Sequence, residues 1–220
     1  MSNFAGWIFV FVGPMCSGKT TLLKELSKLS ELAVSQTIDI GDHLRKCKEN
    51  DETFRNKVEP IMTSGRNLPD DLINKEFKQF IEKAPKSAPV FCSGYPQSVG
   101  QTEYLLSLRR PIALIKVEMS REEANNIMME RRADRAGRSD DNPESFENRW
   151  REYEDKHLAG IKLLERELIT RYSKKVVIIP SFVRTGGSIQ ARAKKLRKDL
   201  GLPRVKHREI LSETSPQAVA

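Results

Sequence analysis

Gly13-Pro14-Met15-Cys16-Ser17-Gly18-Lys19-Thr20 follows the apolar run Trp7-Ile8-Phe9-Val10-Phe11-Val12 and runs into Leu22, Leu23, Leu26 and Leu29, which recur at helical spacing. The eight residues match Gly-x4-Gly-Lys-Thr, set between a buried strand and a helix, which is the context in which this spacing holds phosphate. Glycines let backbone N–H groups curl around phosphate oxygens, and the following helix adds partial positive charge at its N-terminus. Lys19 is expected to reach the β- and γ-phosphates and the Thr20 hydroxyl to ligate Mg²⁺. Gly13, Cys16, Ser17, Gly18, Lys19, Thr20 and Thr21 are therefore the expected ATP-binding set, with Mg²⁺ as the cofactor.

Outward from this loop, short apolar runs predict further strands at Val34–Ile40, Pro89–Ser93, Ile112–Val117 and Val176–Ile179. Helical patterns lie between them. They cover Leu44–Cys47, Phe54–Met62, Leu72–Ile81, Ser98–Leu108, a stretch from the capping box Ser120–Glu123, a long one from Asn142-Pro143-Glu144 to Tyr172, and Ser188–Leu200. Pro69 is expected within a first helical turn. Arg131–Asn142 reads as a polar, basic loop. Strands alternating with helices imply an α/β fold with a parallel sheet covered on both faces.

The chain has 220 residues and carries a net charge of +8, which suits an anionic partner, nucleotide or nucleic acid. Cys16, Cys47 and Cys92 are far apart in sequence and suggest no zinc site. An odd, sparse set fits a reducing compartment, and no run approaches membrane-spanning length. No basic residue precedes the first apolar run, so no secretory signal is expected, and the protein is read as cytoplasmic. Arg192, Lys194, Lys195, Arg197, Lys198, Arg204, Lys206 and Arg208 are read as a solvated helix face and tail. They lack the stacking aromatics of a nucleic-acid surface, Phe182 being the nearest.

Four further segments name a family. Ile38-Asp39-Ile40-Gly41-Asp42-His43-Leu44-Arg45 resembles S-T-G-D-L-L-R. Ser64-Gly65-Arg66-Asn67-Leu68-Pro69-Asp70 resembles a G-x-x-V-P turn followed by Asp or Glu. Ser93-Gly94-Tyr95-Pro96-Gln97-Ser98-Val99-Gly100-Gln101 resembles D-G-x-P-R-x-x-x-Q with Phe or Tyr at the third place. Arg132–Asn142 followed by Arg149 resembles a short lid and its downstream arginine. With the phosphate loop, these segments make the chain similar to the adenylate kinases and their nucleoside monophosphate kinase relatives, from about Trp7 to Leu200.

The resemblance implies a P-loop NTPase three-layer sandwich with a central parallel sheet of about five strands. It implies mobile acceptor-binding and lid segments near residues 40–70 and 131–142, in one domain of residues 1–200. Residues 201–220 are then a basic, partly disordered tail, and a monomer is the default. It implies transfer of the γ-phosphoryl of ATP to a nucleoside monophosphate, AMP being the best single choice because of Gln101. Lys19, Arg132, Arg138 and Arg149 would act on the transferring phosphoryl group. Ile40, Arg45, Leu68, Gly94, Gln97 and Gln101 would hold the acceptor. Asp140 and Asp141 would support a lid that closes and excludes water, Gly137 being its flexible point.

Four positions depart from the pattern. Gln97 replaces an arginine on the acceptor phosphate, and Ser93 replaces an aspartate that helps hold Mg²⁺ through water. Ile40 replaces threonine near the acceptor base, and Met128 replaces an arginine that packs on the ATP adenine. These losses leave open a second reading, a nucleotide-binding relative with weak or no catalysis and a regulatory role.

Overall fold

A computed structural model describes residues 4–29, 36–133, 141–171 and 188–201. Among them lie β1 (Ile8–Val12), α1 (Lys19–Leu29), β2 (Gln36–Asp39), α2 (Ile40–Asn50), α3 (Glu52–Thr63), α4 (Asp70–Lys83) and β3 (Val90–Ser93). There follow α5 (Val99–Ser107), β4 (Ile112–Lys116), α6 (Arg121–Ala133), α7 (Pro143–Glu152), α8 (Leu158–Arg171) and α9 (Ile189–Asp199). The sheet is parallel, in the order β2-β3-β1-β4.

β1 is central and buried along its whole length, which explains its unbroken apolar sequence. Its side chains alternate between two cores, as the two-residue period of a strand requires. Ile8, Val10 and Val12 join Val90, Cys92, Ile112 and Leu114 beneath α2–α5 and α8. Phe9 and Phe11 join Phe91, Ala113 and Ile115 beneath α1 and α9. α9 uses Ala193 and Leu196 for this contact while Lys194, Lys195 and Lys198 face solvent, and Arg192 and Arg197 are half-buried. Because β1 has β3 on one side and β4 on the other, the chain turns in opposite directions around it. A crevice opens at the carboxyl ends of such strands.

The boundaries differ from the sequence reading where a side chain ends an element. β2 stops at Asp39, whose carboxylate accepts the Asp42 N–H and caps α2, so Ile40 starts a helix instead of finishing a strand. Pro69 is the N-cap of α4 and precedes its first turn. Residues 131–133, read as loop, continue α6, where Glu130, Arg131, Arg132 and Ala133 are all good helix formers. The helix from Asn142 is capped as expected, with Pro143 at its first position, but a π turn at Tyr153–His157 separates α7 from α8. The sheet has four strands among the described residues. The strand expected at 176–179 and the tail beyond 201 lie outside them.

Candidate functional site

The phosphate loop leaves β1 hard against the end of β4. A β-carbon at Gly13, where φ is +143°, would stand 2.0 Å from the Val117 carbonyl oxygen, so only glycine fits. Lys19 opens α1, and its ammonium turns back to donate to the Pro14 carbonyl and to Ser17 Oγ at 3.1 Å. Burial lowers its pKa to about 8, and the nearby Asp39 carboxylate opposes that shift. A buried ammonium bonded to its own loop is ready to exchange those bonds for an anion. Cys16 adopts a left-handed φ of 59° and packs with Met15 and Met119 against Ala124, Met128, Phe146 and Trp150. Burial raises its thiol pKa. Thr21 is exposed on α1.

One cleft joins this loop to the acceptor half of the expected site. Lys19, Thr20, Arg45, Leu68, Gly94, Gln97 and Arg149 all line it, with Ser93 at its floor. Arg45 pairs with Asp42 on its own helix. Ile40 is buried behind Gly94 and is not part of the lining.

Gln101 does not reach the cleft either. It is buried, its Oε1 accepts the Gln97 N–H at 2.7 Å, and its Nε2 donates to Asp70 at 2.8 Å. Half of a capping box forms here, because Ser98 Oγ accepts the Gln101 N–H. The Gln101 side chain accepts the Gln97 N–H in place of that of Ser98.

The lid side is only partly brought in. Arg149 lines the cleft, and its Nη1 lies 3.9 Å from Asp141. The Asp141 carboxylate is fully buried and takes a bond from Arg131, a residue passed over in the sequence. Arg132 is exposed at the end of α6, outside the cleft lining. Met128 is buried in the apolar cluster beside the loop, so it presents no exposed face. Gly137, Arg138 and Asp140 lie outside the described residues.

Asp39, Arg66, Asn67, Tyr153 and His157 are among the lining residues that were not anticipated. Asn67 Nδ2 and the His157 ring nitrogen Nε2 lie 2.9 Å apart. Burial, then Lys19 and Lys156, hold the His157 pKa down to about 3, so the imidazole is neutral near neutral pH. His157 sits in the π turn, which no sequence period announces. Away from the cleft, His43, Cys47 and Glu76 come together, a meeting of α2 and α4 that sequence spacing does not show. A 2.9 Å bond between His43 and Glu76 satisfies both groups there without an ion.

At the floor, the Thr20 hydroxyl donates to Asp39 Oδ2, and Ser93 Oγ donates to the same oxygen at 2.9 Å. A carboxylate and two hydroxyls beside a phosphate loop form a hard oxygen set, which suits Mg²⁺. Thr20, Asp39 and Ser93 are therefore the residues that would hold it, directly or through water.

Comparison with known proteins accords with this arrangement. A family model described as an AAA domain matches residues 12–147. The adenylate kinase of Thermus thermophilus is 31% identical over 156 residues, which cover 69% of this chain and 79% of that protein. The chain belongs to the adenylate kinase and nucleoside monophosphate kinase family. The adenylate kinase of Mesomycoplasma hyopneumoniae is 33% identical over 97 residues, 44% of each chain. That of Thermotoga petrophila is 35% identical over 96 residues, 44% of this chain and 43% of its own length. The match thus spans less than half of these two relatives. Family membership accounts for the α/β fold and for the glycine-bearing loop between β1 and α1. Among the described residues no helix is long and apolar enough to cross a membrane.

Proposed function

We propose that this protein transfers the γ-phosphoryl group of ATP, with Mg²⁺, to a nucleoside monophosphate. One observation carries the reading: a single cleft presents Lys19 of the phosphate loop together with Arg45, Arg66 and Arg149. Two polyanions meet end to end only where their repulsion is neutralised, and guanidinium groups donate paired bonds to phosphate oxygens. An oxygen of the acceptor phosphate attacks the γ-phosphorus, the bond to the β,γ-bridging oxygen breaks, and ADP leaves. Charge develops on the phosphoryl oxygens, so positioned cations do most of the catalytic work. Lys19 and Arg149, which both line the cleft, would perform that task, and Arg132 and Arg138 would join it from the lid. Arg45, Leu68, Gly94 and Gln97 would seat the acceptor. Mg²⁺ would supply further neutralisation of the triphosphate.

AMP is the acceptor to test first, on the family likeness. Gln101 reads a base only by giving up its bonds to Asp70 and the Gln97 N–H, so the base preference is set against those bonds. The test is a panel of ribo- and deoxynucleoside monophosphates with ATP and Mg²⁺, scored by diphosphate formation. One acceptor turned over at a kinase rate, of order 1–100 per second, is the expected result. Failure of every acceptor would leave the regulatory reading, which rests on Gln97 and Ser93.

A further inference from the structure

The residue that departs most from the family pattern at the metal site has a partner across the sheet. Ser93 stands where the resemblance leads one to expect aspartate, and Asp39 stands where it leads one to expect serine. The two are directly paired in the register of β2 and β3. Neighbouring parallel strands lie about 4.8 Å apart, so exchanging the two residues moves a carboxylate one strand sideways and keeps it at the same edge.

We propose that Asp39 is the carboxylate of the metal site, carried on β2 in place of the expected one on β3. This rests on the proposed use of Mg·ATP. Three features of the site support the assignment. Asp39 lines the cleft beside Thr20 and Ser93. Its Oδ2 takes hydrogen bonds from both of their hydroxyls. A hydroxyl that donates its hydrogen still keeps two lone pairs, so Thr20 stays free to face a cation while bonded to Asp39. Asp39 Oδ1 accepts the Asp42 N–H at 2.9 Å, which holds the carboxylate at the head of α2. Ser93 becomes a positioning residue that orients Asp39, and its lack of charge no longer implies a missing metal ligand.

The test uses Mn²⁺ as the probe, read by its electron paramagnetic resonance in the protein–ATP complex. Asp39→Asn keeps the cap on α2, because asparagine caps as well as aspartate. It should weaken Mn²⁺ binding to the ATP complex by about 10- to 100-fold, the usual cost of losing a residue that supports a metal site. Affinity for ATP in chelator should stay level or rise, since a negative charge beside the phosphates is gone.

Asp39→Ser should lose Mn²⁺ in the same way, and Asp39→Ser with Ser93→Asp should recover most of it by restoring the carboxylate on β3. Unchanged Mn²⁺ affinity in Asp39→Asn would overturn the assignment. So would a double variant no better than Asp39→Ser alone. If Asp39→Asn fails to fold, the comparison of Asp39→Ser with the double variant decides. The readout needs no acceptor. Asp39-dependent Mn²⁺ binding without any diphosphate product would defeat the proposed transfer reaction and leave this inference standing.

Discussion

At the scale of single residues, the cleft is set by which groups are allowed to carry charge. Lys19 is buried yet charged below about pH 8, and among the described residues it bonds a loop carbonyl and a serine hydroxyl. His157, which also lines the cleft, is kept neutral by burial and by Lys19 and Lys156. This has a consequence for stability. Above pH 6.5 the ring is neutral both folded and unfolded and adds no pH dependence. Between about pH 6.5 and its folded value of about 3, the unfolded chain takes up a proton that the folded protein refuses. Stability therefore falls as pH falls through this window, by up to about 1.4 kcal/mol per pH unit. His157→Gln should flatten that slope. Urea unfolding of both proteins near pH 7 and near pH 5 is the check, with an expected difference on the order of 1–2 kcal/mol in their pH dependence. Parallel acid limbs would show that His157 is protonated in the folded state.

At the scale of elements, caps and close approaches fix where helices begin and which ones touch. Asn142 caps α7 through the Ser145 N–H, and Ser98 caps α5. The turn between α3 and α4 is pinned to α7 at two points. Asn148 donates to the Ser64 carbonyl at 2.8 Å, and a β-carbon at Gly65, where φ is +76°, would meet the Ser145 carbonyl oxygen at 2.4 Å. Gly65→Ala should cost about 1–3 kcal/mol by overpacking and backbone strain together. A denaturant midpoint unchanged from the parent would show that the turn can move away from α7. The turn also carries Arg66, Asn67 and Leu68 into the cleft, so the same substitution should raise the KM for the acceptor.

At the scale of the whole molecule, the sheet order places the ends of β1, β2 and β3 around one crevice, and α7 contributes Arg149 to its lining. Arg149→Ala should lower turnover by about 10²- to 10³-fold, the usual loss when one donor to a developing anion is removed. Its effect on affinity for metal-free ATP should be much smaller. A turnover within about threefold of the parent would remove Arg149 from the transfer step.

How much of this was legible in the order of residues depends on how far apart the interacting groups are. The phosphate loop, the buried strand before it, the Ser120–Glu123 box and the Asn142-Pro143 start could all be read, because each is written within a few neighbouring positions. Periodicity and capping act over one turn or one pleat, so sequence by itself determined the α/β frame, the loop and the family likeness. The tertiary structure alone decided that Asp39 meets Thr20 and Ser93, that Asp70 takes the Gln101 amide, that Asn67 meets His157, and that Arg131 pairs with Asp141 while Arg132 stays exposed. Each of these contacts joins separate elements or depends on which face of a helix is buried. Strand register and helix packing set them, and neither is encoded locally.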